Sequence, residues 1–399
     1  MRALKHAEFW VAAGIWTTIT SALVVSGQTP QSTPGDPLPR ILPIELIEFN
    51  EALGEFAAVE TPLINGVGPA FNGTSCAGCH NVPAIGGSGV VLETRAAYRD
   101  VSGEFRALNP AGDTLIHLFS VPLHECQPLI PEDANVVAHR TSIPLFGAGL
   151  VEAISDETLR GLEDPLDRNG DGVRGRASIV VDLASGQRRV GRFGWKAQHA
   201  TLLAFAADAY RNEMGRTNDL LPQEYVYGIS DEQIRRCDQK PDPEDVRNPQ
   251  TGRRGIDDFE LFMRFLAPVS RGPIDDVVRD GERIFGAIGC AACHVPVLTT
   301  GPSANPVFHR QPVPLFSDLL LHDIGTGDGI PQAAARPEEI RTPALWGLRI
   351  RRPFLHDGSA ATIEEAILRH GQEAELAQRG FLQLSPDDRG RLLAFLRSL

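Results

Sequence analysis

The stretch that decides the reading is NGTSCAGCHNVP, residues 72–83, in which Cys76 and Cys79 stand three apart and His80 follows at once. It has a counterpart in GAIGCAACHVP, residues 286–296, with Cys290, Cys293 and His294. Three chemistries use cysteines at this spacing: a zinc clip, a redox dithiol and covalent attachment of a porphyrin. A zinc ribbon keeps its two CxxC pairs within roughly 15–20 residues, whereas Cys76 and Cys290 lie 290 − 76 = 214 positions apart. A thioredoxin-type dithiol sits in a βαβ setting, and neither motif has one around it. In CxxCH the two thiols stand one helical turn apart, so both can add to the vinyl groups of one porphyrin, and the adjacent imidazole is carried under the iron. By composition alone, two such motifs would arise with a chance of about a millionth. The sequence therefore predicts two covalently bound c-type haems, on Cys76, Cys79 and His80 and on Cys290, Cys293 and His294.

The chain of 399 residues carries a net charge of −13, with 42% hydrophobic and 22% charged residues. That balance suits a folded core and excludes nucleic acid or an anionic membrane surface as the main partner. The N-terminus reads as an export signal. Arg2, Lys5 and His6 precede an apolar run from Phe9 to Val25, and the small residues Ser26 and Gly27 permit cleavage. Residues 1–27 are accordingly expected to be a signal peptide and 28–40 a Pro-rich linker. The apolar run is long enough that a retained membrane anchor is the alternative. Either way the folded part is expected to be periplasmic or otherwise exported. Cys126 and Cys237 then form an even pair in an oxidising compartment, either as a disulfide or as two buried thiols.

Beyond the linker, IELIEFNEALGEFAAVE has helical spacing of apolar residues and leads into the first motif. The segments GVVLET, TLIHLFSV and NVVAHRTSIPLF are short β-branched runs between Gly and Pro breaks. RFGWKAQHATLLAFAADAYRNEMG and IDDFELFMRFLAPV read as helices, with CDQKPDPEDVRNPQTGRRG a surface loop between them. DDVVRDGERIFGAIG runs as a helix into the second motif. SPDDRGRLLAFLRSL closes the chain, with Ser385 as N-cap, Pro386 in the first turn and Leu392, Leu393, Leu396 and Leu399 on one face. The expected fold is mainly α: two cytochrome c-like domains, with long loops and a few short strands inserted in the first. Residues 41–270 would be the N-terminal haem domain and 271–399 the C-terminal one.

The C-terminal stretch PALWGLRIRRPFLHDGSAATIEEAILRHG resembles the signature of bacterial di-haem cytochrome c peroxidases and of the related di-haem enzyme that matures methylamine dehydrogenase. FNGTSCAGCH, FGAGLVEAI, DRNGDGVRGR, GRFGWKA, SDLLLHDIG and RTPALWGL extend the likeness to the di-haem oxidoreductase family, once described as thiol oxidoreductases, over about residues 45–399. The resemblance puts His370 where the second iron ligand of the C-terminal haem stands. That haem would then be bis-histidine, opposite His294; the plainer role is an imidazole favouring a helix end. It matches Trp195 to a Trp lying between the haems, against a plain core aromatic. It matches Glu213, in RNEMG, to a pocket Glu that moves a proton during peroxide cleavage, against a solvated helix-end carboxylate. The family's Asp-Gly-Arg after the Trp is replaced here by Lys196, Ala197 and Gln198.

His199 and His322 are further candidates for the distal face of the N-terminal haem, and His356 for a hydrogen bond at a haem edge. Arg349, Arg351 and Arg352 either pair with propionates or form a solvated face. In DRNGDGVRGR, Asp167, Asn169 and Asp171 offer side-chain oxygens and Val173 a carbonyl at calcium-loop spacing, with Asp164 or Asp182 to complete the set. Ser178 stands where the bidentate Glu belongs, so the choice is one calcium ion or an Asx turn. The functional expectation is an exported di-haem oxidoreductase of peroxidase type. It would take electrons from a small donor protein or quinol-linked cytochrome and deliver them to a small oxidant such as peroxide. The alternative is a pure electron-transfer cytochrome.

Overall fold

The computed structural model describes residues 32–108, 113–121, 126–238 and 240–399. The expected signal peptide and the start of the linker lie outside that range. Its α-helices, in chain order, are α1 (Pro43–Ala57), α2 (Cys76–Cys79), α3 (Ala148–Glu152), α4 (Asp156–Arg160), α5 (Leu202–Met214), α6 (Asp231–Cys237), α7 (Gly255–Phe265), α8 (Asp276–Ala287), α9 (Ile363–Leu368), α10 (Glu375–Gln383) and α11 (Pro386–Leu396). None of the described helices is long and apolar enough to cross a membrane.

The helices form where capping chemistry and apolar spacing coincide. Ser385 accepts from the Asp388 amide at 3.1 Å, with Pro386 in the first turn of α11. Asp275 does the same for α8 through the Val278 amide at 2.9 Å. Leu392, Leu393, Leu396 and Leu399 are all buried. Gly281 lets α8 and α11 cross closely, since a Cβ there would lie 2.0 Å from the Arg391 carbonyl oxygen. Phe285, Phe316 and Phe395 then meet edge-on, with ring centroids 5.2–6.1 Å apart.

One expected helix is only half realised. In RFGWKAQHATLLAFAADAYRNEMG, α5 begins at Leu202, where Thr201 caps it by accepting from the Ala204 amide at 3.2 Å. The residues before it fold into a turn. The Phe193 amide donates to the His199 carbonyl at 3.0 Å, and Ala197 is left-handed at φ 48°. Tertiary placement of Trp195 outweighs helical spacing here.

Strands are short, as expected. Leu92–Arg99 is the central strand of a small antiparallel sheet, paired with Val136–Thr141 in the register Leu92↔Thr141 to Ala97↔Val136. Leu115–Ile116 and Phe105–Arg106 pair on its other edge. Cys126 and Cys237 are joined as a disulfide, 111 residues apart in sequence. In the chain-entropy account a loop of that length is worth about 5 kcal/mol. Residues Ser32–Leu399 form one compact unit, and its largest apolar core runs from Phe49 of α1 to Trp346. A second core gathers α8, α11 and Phe381 of α10.

Phe395 has no exposed surface. Phe395→Ala is expected to lower stability by about 3–5 kcal/mol, read as a fall in the denaturant midpoint at unchanged slope.

Candidate functional site

Each CxxCH motif opens onto its own cavity. The larger, 520 Å³, is lined by Cys290, Cys293, His294 and His370 and walled by apolar residues including Phe285, Trp346, Ile367 and Leu396. The smaller, 160 Å³, is lined by Cys76, Cys79, His80 and Glu213. One construction serves both motifs. A phenylalanine of the helix ahead of it, Phe56 or Phe285, lies with its ring centroid 6.3 Å from that of the motif histidine.

The imidazoles are oriented by backbone carbonyls. His80 Nδ1 is 2.9 Å from the Gly87 oxygen, and His294 Nδ1 is 2.9 Å from the Phe316 oxygen. His370 Nδ1 is 2.7 Å from the Ala366 oxygen, one helical turn back. A carbonyl only accepts, so Nδ1 carries the proton in all three and Nε2 keeps its lone pair. Burial lowers the pKa of each, that of His294 to about 4, so all three imidazoles are neutral at pH 7. Close approach of the chain sets the first of these contacts. A Cβ on Gly87 would lie 2.0 Å from the Val82 carbonyl oxygen.

The second imidazole is where the two cavities differ. His370 faces the same space as His294. Around the smaller cavity, among the described residues, His80 is the only histidine. There the polar groups are Glu213, Glu93, Arg95, Arg140, Asp208 and Gln198. Glu213 sits at the end of α5 and accepts from Asn72 Nδ2 at 2.7 Å. Burial, reinforced by the Glu93 carboxylate, pushes its pKa up to about 8. Arg95 pairs with Glu93 and donates to Thr114 Oγ1 at 2.9 Å.

Trp195 lines both cavities. It is 5% exposed and held by Nε1–H donating to the Thr141 carbonyl at 2.8 Å. Its ring meets His356 edge-on at 6.1 Å, and the Arg351 guanidinium lies 5.3 Å from its centroid. Arg351 Nη2 is buried without a hydrogen-bond partner among the described residues, and burial lowers the group's pKa to about 10. A lone buried cation on an apolar cavity wall is costly unless an anion meets it. A propionate is such an anion. The donors and this orphaned guanidinium thus fit a covalently held porphyrin in the larger cavity, and the same thiol–thiol–imidazole set recurs in the smaller.

The family model “Di-haem oxidoreductase, putative peroxidase” matches residues 125–399. The chain belongs to the di-haem oxidoreductase family. It is also similar to the methylamine utilization protein MauG of Methylorubrum extorquens, 31% identical over 159 residues, which cover 35% of this chain and 41% of that protein. The chain thus spans well under half of that relative's length. Among solved structures it is similar to a chain of Kuenenia stuttgartiensis hydrazine synthase, 13% identical with a TM-score of 0.43, covering 98% of this chain and 100% of that one. It is similar as well to the diheme peroxidase BthA from Burkholderia thailandensis, 14% identical with a TM-score of 0.41, covering 92% and 89%.

In this di-haem oxidoreductase the remaining candidates separate. His322 lines the larger cavity, not the smaller, and is held by Asp318 and Glu373, each at 2.9 Å. His199 is engaged with Asp208 at 3.0 Å. Arg349 and Arg352 are exposed, but the solvated-face reading fails for Arg351, whose Nη2 is buried and which lies over the Trp195 ring. Lys196 is fully buried and donates to the Arg336, Pro337 and Glu339 carbonyls while pairing with Asp328 at 2.9 Å. It anchors the 328–339 loop. In the 167–173 loop, Asn169 and Asp171 accept from the amides two residues on, at 3.1 and 2.9 Å, as in Asx turns, and Asp167 accepts from the Gly172 amide at 3.0 Å. Arg95, Arg140, Asp208 and Gln198 went unrecognised in the sequence. They come from separate segments and share no spacing signal.

Matured with haem-attachment machinery, the chain is expected to gain the mass of two haems, and Cys76→Ala/Cys79→Ala that of one; denaturing mass spectrometry reads both. His370→Gly is expected to turn one low-spin haem high-spin in the oxidised protein's EPR spectrum and leave the other unchanged.

Proposed function

We propose that the protein is an exported peroxidase-type oxidoreductase in which the C-terminal haem relays electrons and the N-terminal haem meets the oxidant. The observation that carries this reading is the asymmetry of the cavities. Among the described residues, one is lined by four histidines. Of these, His322 is held by Asp318 and Glu373 and His356 lies against Trp195, leaving His294 and His370 as the pair with a free Nε2. The other has, among the described residues, His80 alone and a buried carboxyl, Glu213. Porphyrin iron would supply the redox chemistry at each site: two imidazoles favour electron transfer, while one leaves room for a small ligand.

His294 and His370 would hold the C-terminal haem from its two faces, and Arg351 would meet a propionate. Trp195, on the wall of both cavities, is the bridge for electrons arriving from a small donor protein or quinol-linked cytochrome. At the N-terminal site Glu213 acts as the acid–base group. As a carboxylate it takes a proton from one peroxide oxygen, and as the acid returns it to the other, so the O–O bond breaks with that oxygen leaving as water. Two electrons from the donor and two protons from solvent would account for the second water. Asn72 orients the carboxylate at 2.7 Å. The Cys126–Cys237 disulfide supports an oxidising compartment. The export signal itself lies in residues outside those described.

A second reading, a pure electron carrier, is favoured by Met214 and Met263, which line the smaller cavity; a thioether on the iron there would close it. Cyanide binding to the oxidised protein separates the two readings. One haem responds if the face is open, and none if it is closed.

The pKa of Glu213 is raised to about 8, so its carboxylate, the form that accepts the proton, is the minor one below that pH. Peroxide turnover (kcat/KM) is expected to climb as pH rises toward 8 and level off above it. Glu213→Gln should lower kcat/KM by roughly 10²–10⁴-fold and flatten the profile. A Gln variant that keeps the wild-type rate and pH dependence would remove Glu213 from the mechanism.

A further inference from the structure

Between α5 and α7, away from both cavities, four carboxylates converge. Glu224, Asp238, Asp242 and Glu244 each bring one oxygen within 4.8 Å of the others, and none of the four lines either haem cavity. Three of these residues, Asp238, Asp242 and Glu244, lie in the segment expected to be a plain surface loop. Yet Glu244 is only 8% exposed. Its Oε2 accepts from the Thr217 amide at 2.7 Å, while its Oε1 is buried with no hydrogen-bond partner. Both oxygens of Glu224 are also buried and unpartnered. The Thr217 hydroxyl contacts Asp242 Oδ1 at 2.7 Å and also Glu244 Oε2. A hydroxyl has one proton, so with both carboxyls ionised one of those contacts sets oxygen against oxygen with nothing between. Among the described residues none of the four carboxylates has a Lys or Arg ion pair.

An unpaired buried carboxylate costs several kcal/mol. Asp242 is exposed and Asp238 partly so, but the buried oxygens of Glu224 and Glu244 are retained only if protons or a cation neutralise them. We propose that Glu224, Asp238, Asp242 and Glu244 bind one calcium ion. All the donors are oxygens, which selects a hard cation, and calcium accepts an irregular oxygen shell at 2.3–2.6 Å. Two oxygens facing each other across such an ion stand about 4.8 Å apart, so four oxygens that all lie within that distance of one another can share one ion. Magnesium demands a tighter, regular octahedron. Without the ion, burial pushes the Glu224 pKa up to about 10 and that of Glu244 to about 7, so calcium must displace protons to enter. The ion would tie the 217–244 segment together beside Cys237, whose disulfide already fixes Asp238 at one end.

The test is calorimetric titration of the chelator-treated holo-protein with calcium chloride at neutral pH. The expected result is one ion per chain, with about one proton or more released, read from the dependence of the heat on the buffer. Glu224→Gln/Glu244→Gln should weaken binding roughly 100-fold or more, while Asp167→Asn/Asp171→Asn should leave it unchanged. The glutamines remove buried charge, so the double variant should keep the wild-type circular dichroism and haem spectrum. If it does not fold, Glu224→Gln alone serves, with a smaller loss expected. Absence of saturable calcium binding overturns the proposal. So does equal binding of magnesium chloride, or binding lost in the Asp167/Asp171 variant and kept in the glutamine variant.

Discussion

Three hydrogen bonds from imidazole to backbone hold the site together: His80 to Gly87, His294 to Phe316 and His370 to Ala366. Each fixes which nitrogen carries the proton, and each partner is a main-chain carbonyl that cannot change role with pH. A ring left free to flip would offer the iron a nitrogen that is protonated part of the time, and ligation would then compete with that proton. Burial works in the same direction, because it disfavours the imidazolium. The two effects leave three neutral, oriented Nε2 atoms on the walls of two cavities. The rest of the fold can be read as what supplies those carbonyls: the tight turn through Gly87, the loop carrying Phe316 beneath α8, and the last turn of α9.

The carbonyl that serves His370 also explains why this ligand is compatible with its helix. An imidazole at a helix end favours the dipole whether or not it binds a metal, so the plainer account and the ligand account share one local geometry. Tertiary placement separates them: α9 packs over the larger cavity, and His370 shares its lining with His294. Among the described residues no helix of that kind presents an imidazole at the smaller cavity. In the proposed function, the difference between a relay site and a reactive site would be a difference in which helix covers the open side.

Much of this was legible in the sequence because it is written in short-range patterns. Both CxxCH motifs, the cap at Ser385 and the β-branched runs around Leu92 and Val136 are local features, and the structure contains each. The family motif gave His370, Trp195 and Glu213 as a group, and all three line a cavity. What was not legible is long-range or set by tertiary contact. The turn from Phe193 to His199 overrides a helical pattern because Trp195 must reach the Thr141 carbonyl. Arg351 sits in an Arg-rich run that looks solvated, and only its packing against Trp195 sets it apart. The carboxylates at 224, 238, 242 and 244 come from two sides of α6, with no motif spacing to announce them.

The charge beside Trp195 bears on how that residue could conduct. The Arg351 guanidinium stands 5.3 Å from the ring centroid, and at an effective dielectric constant near 20 a unit charge at that distance opposes a positive hole on the indole by about 3 kcal/mol. With Arg351 unpaired, Trp195 would resist oxidation and act as a medium for electron tunnelling between the cavities. With a propionate paired to Arg351, most of that penalty is cancelled and a transient hole on the indole becomes affordable. The same guanidinium therefore links two properties that look separate: how the cofactor is anchored and which redox state the bridging residue can adopt.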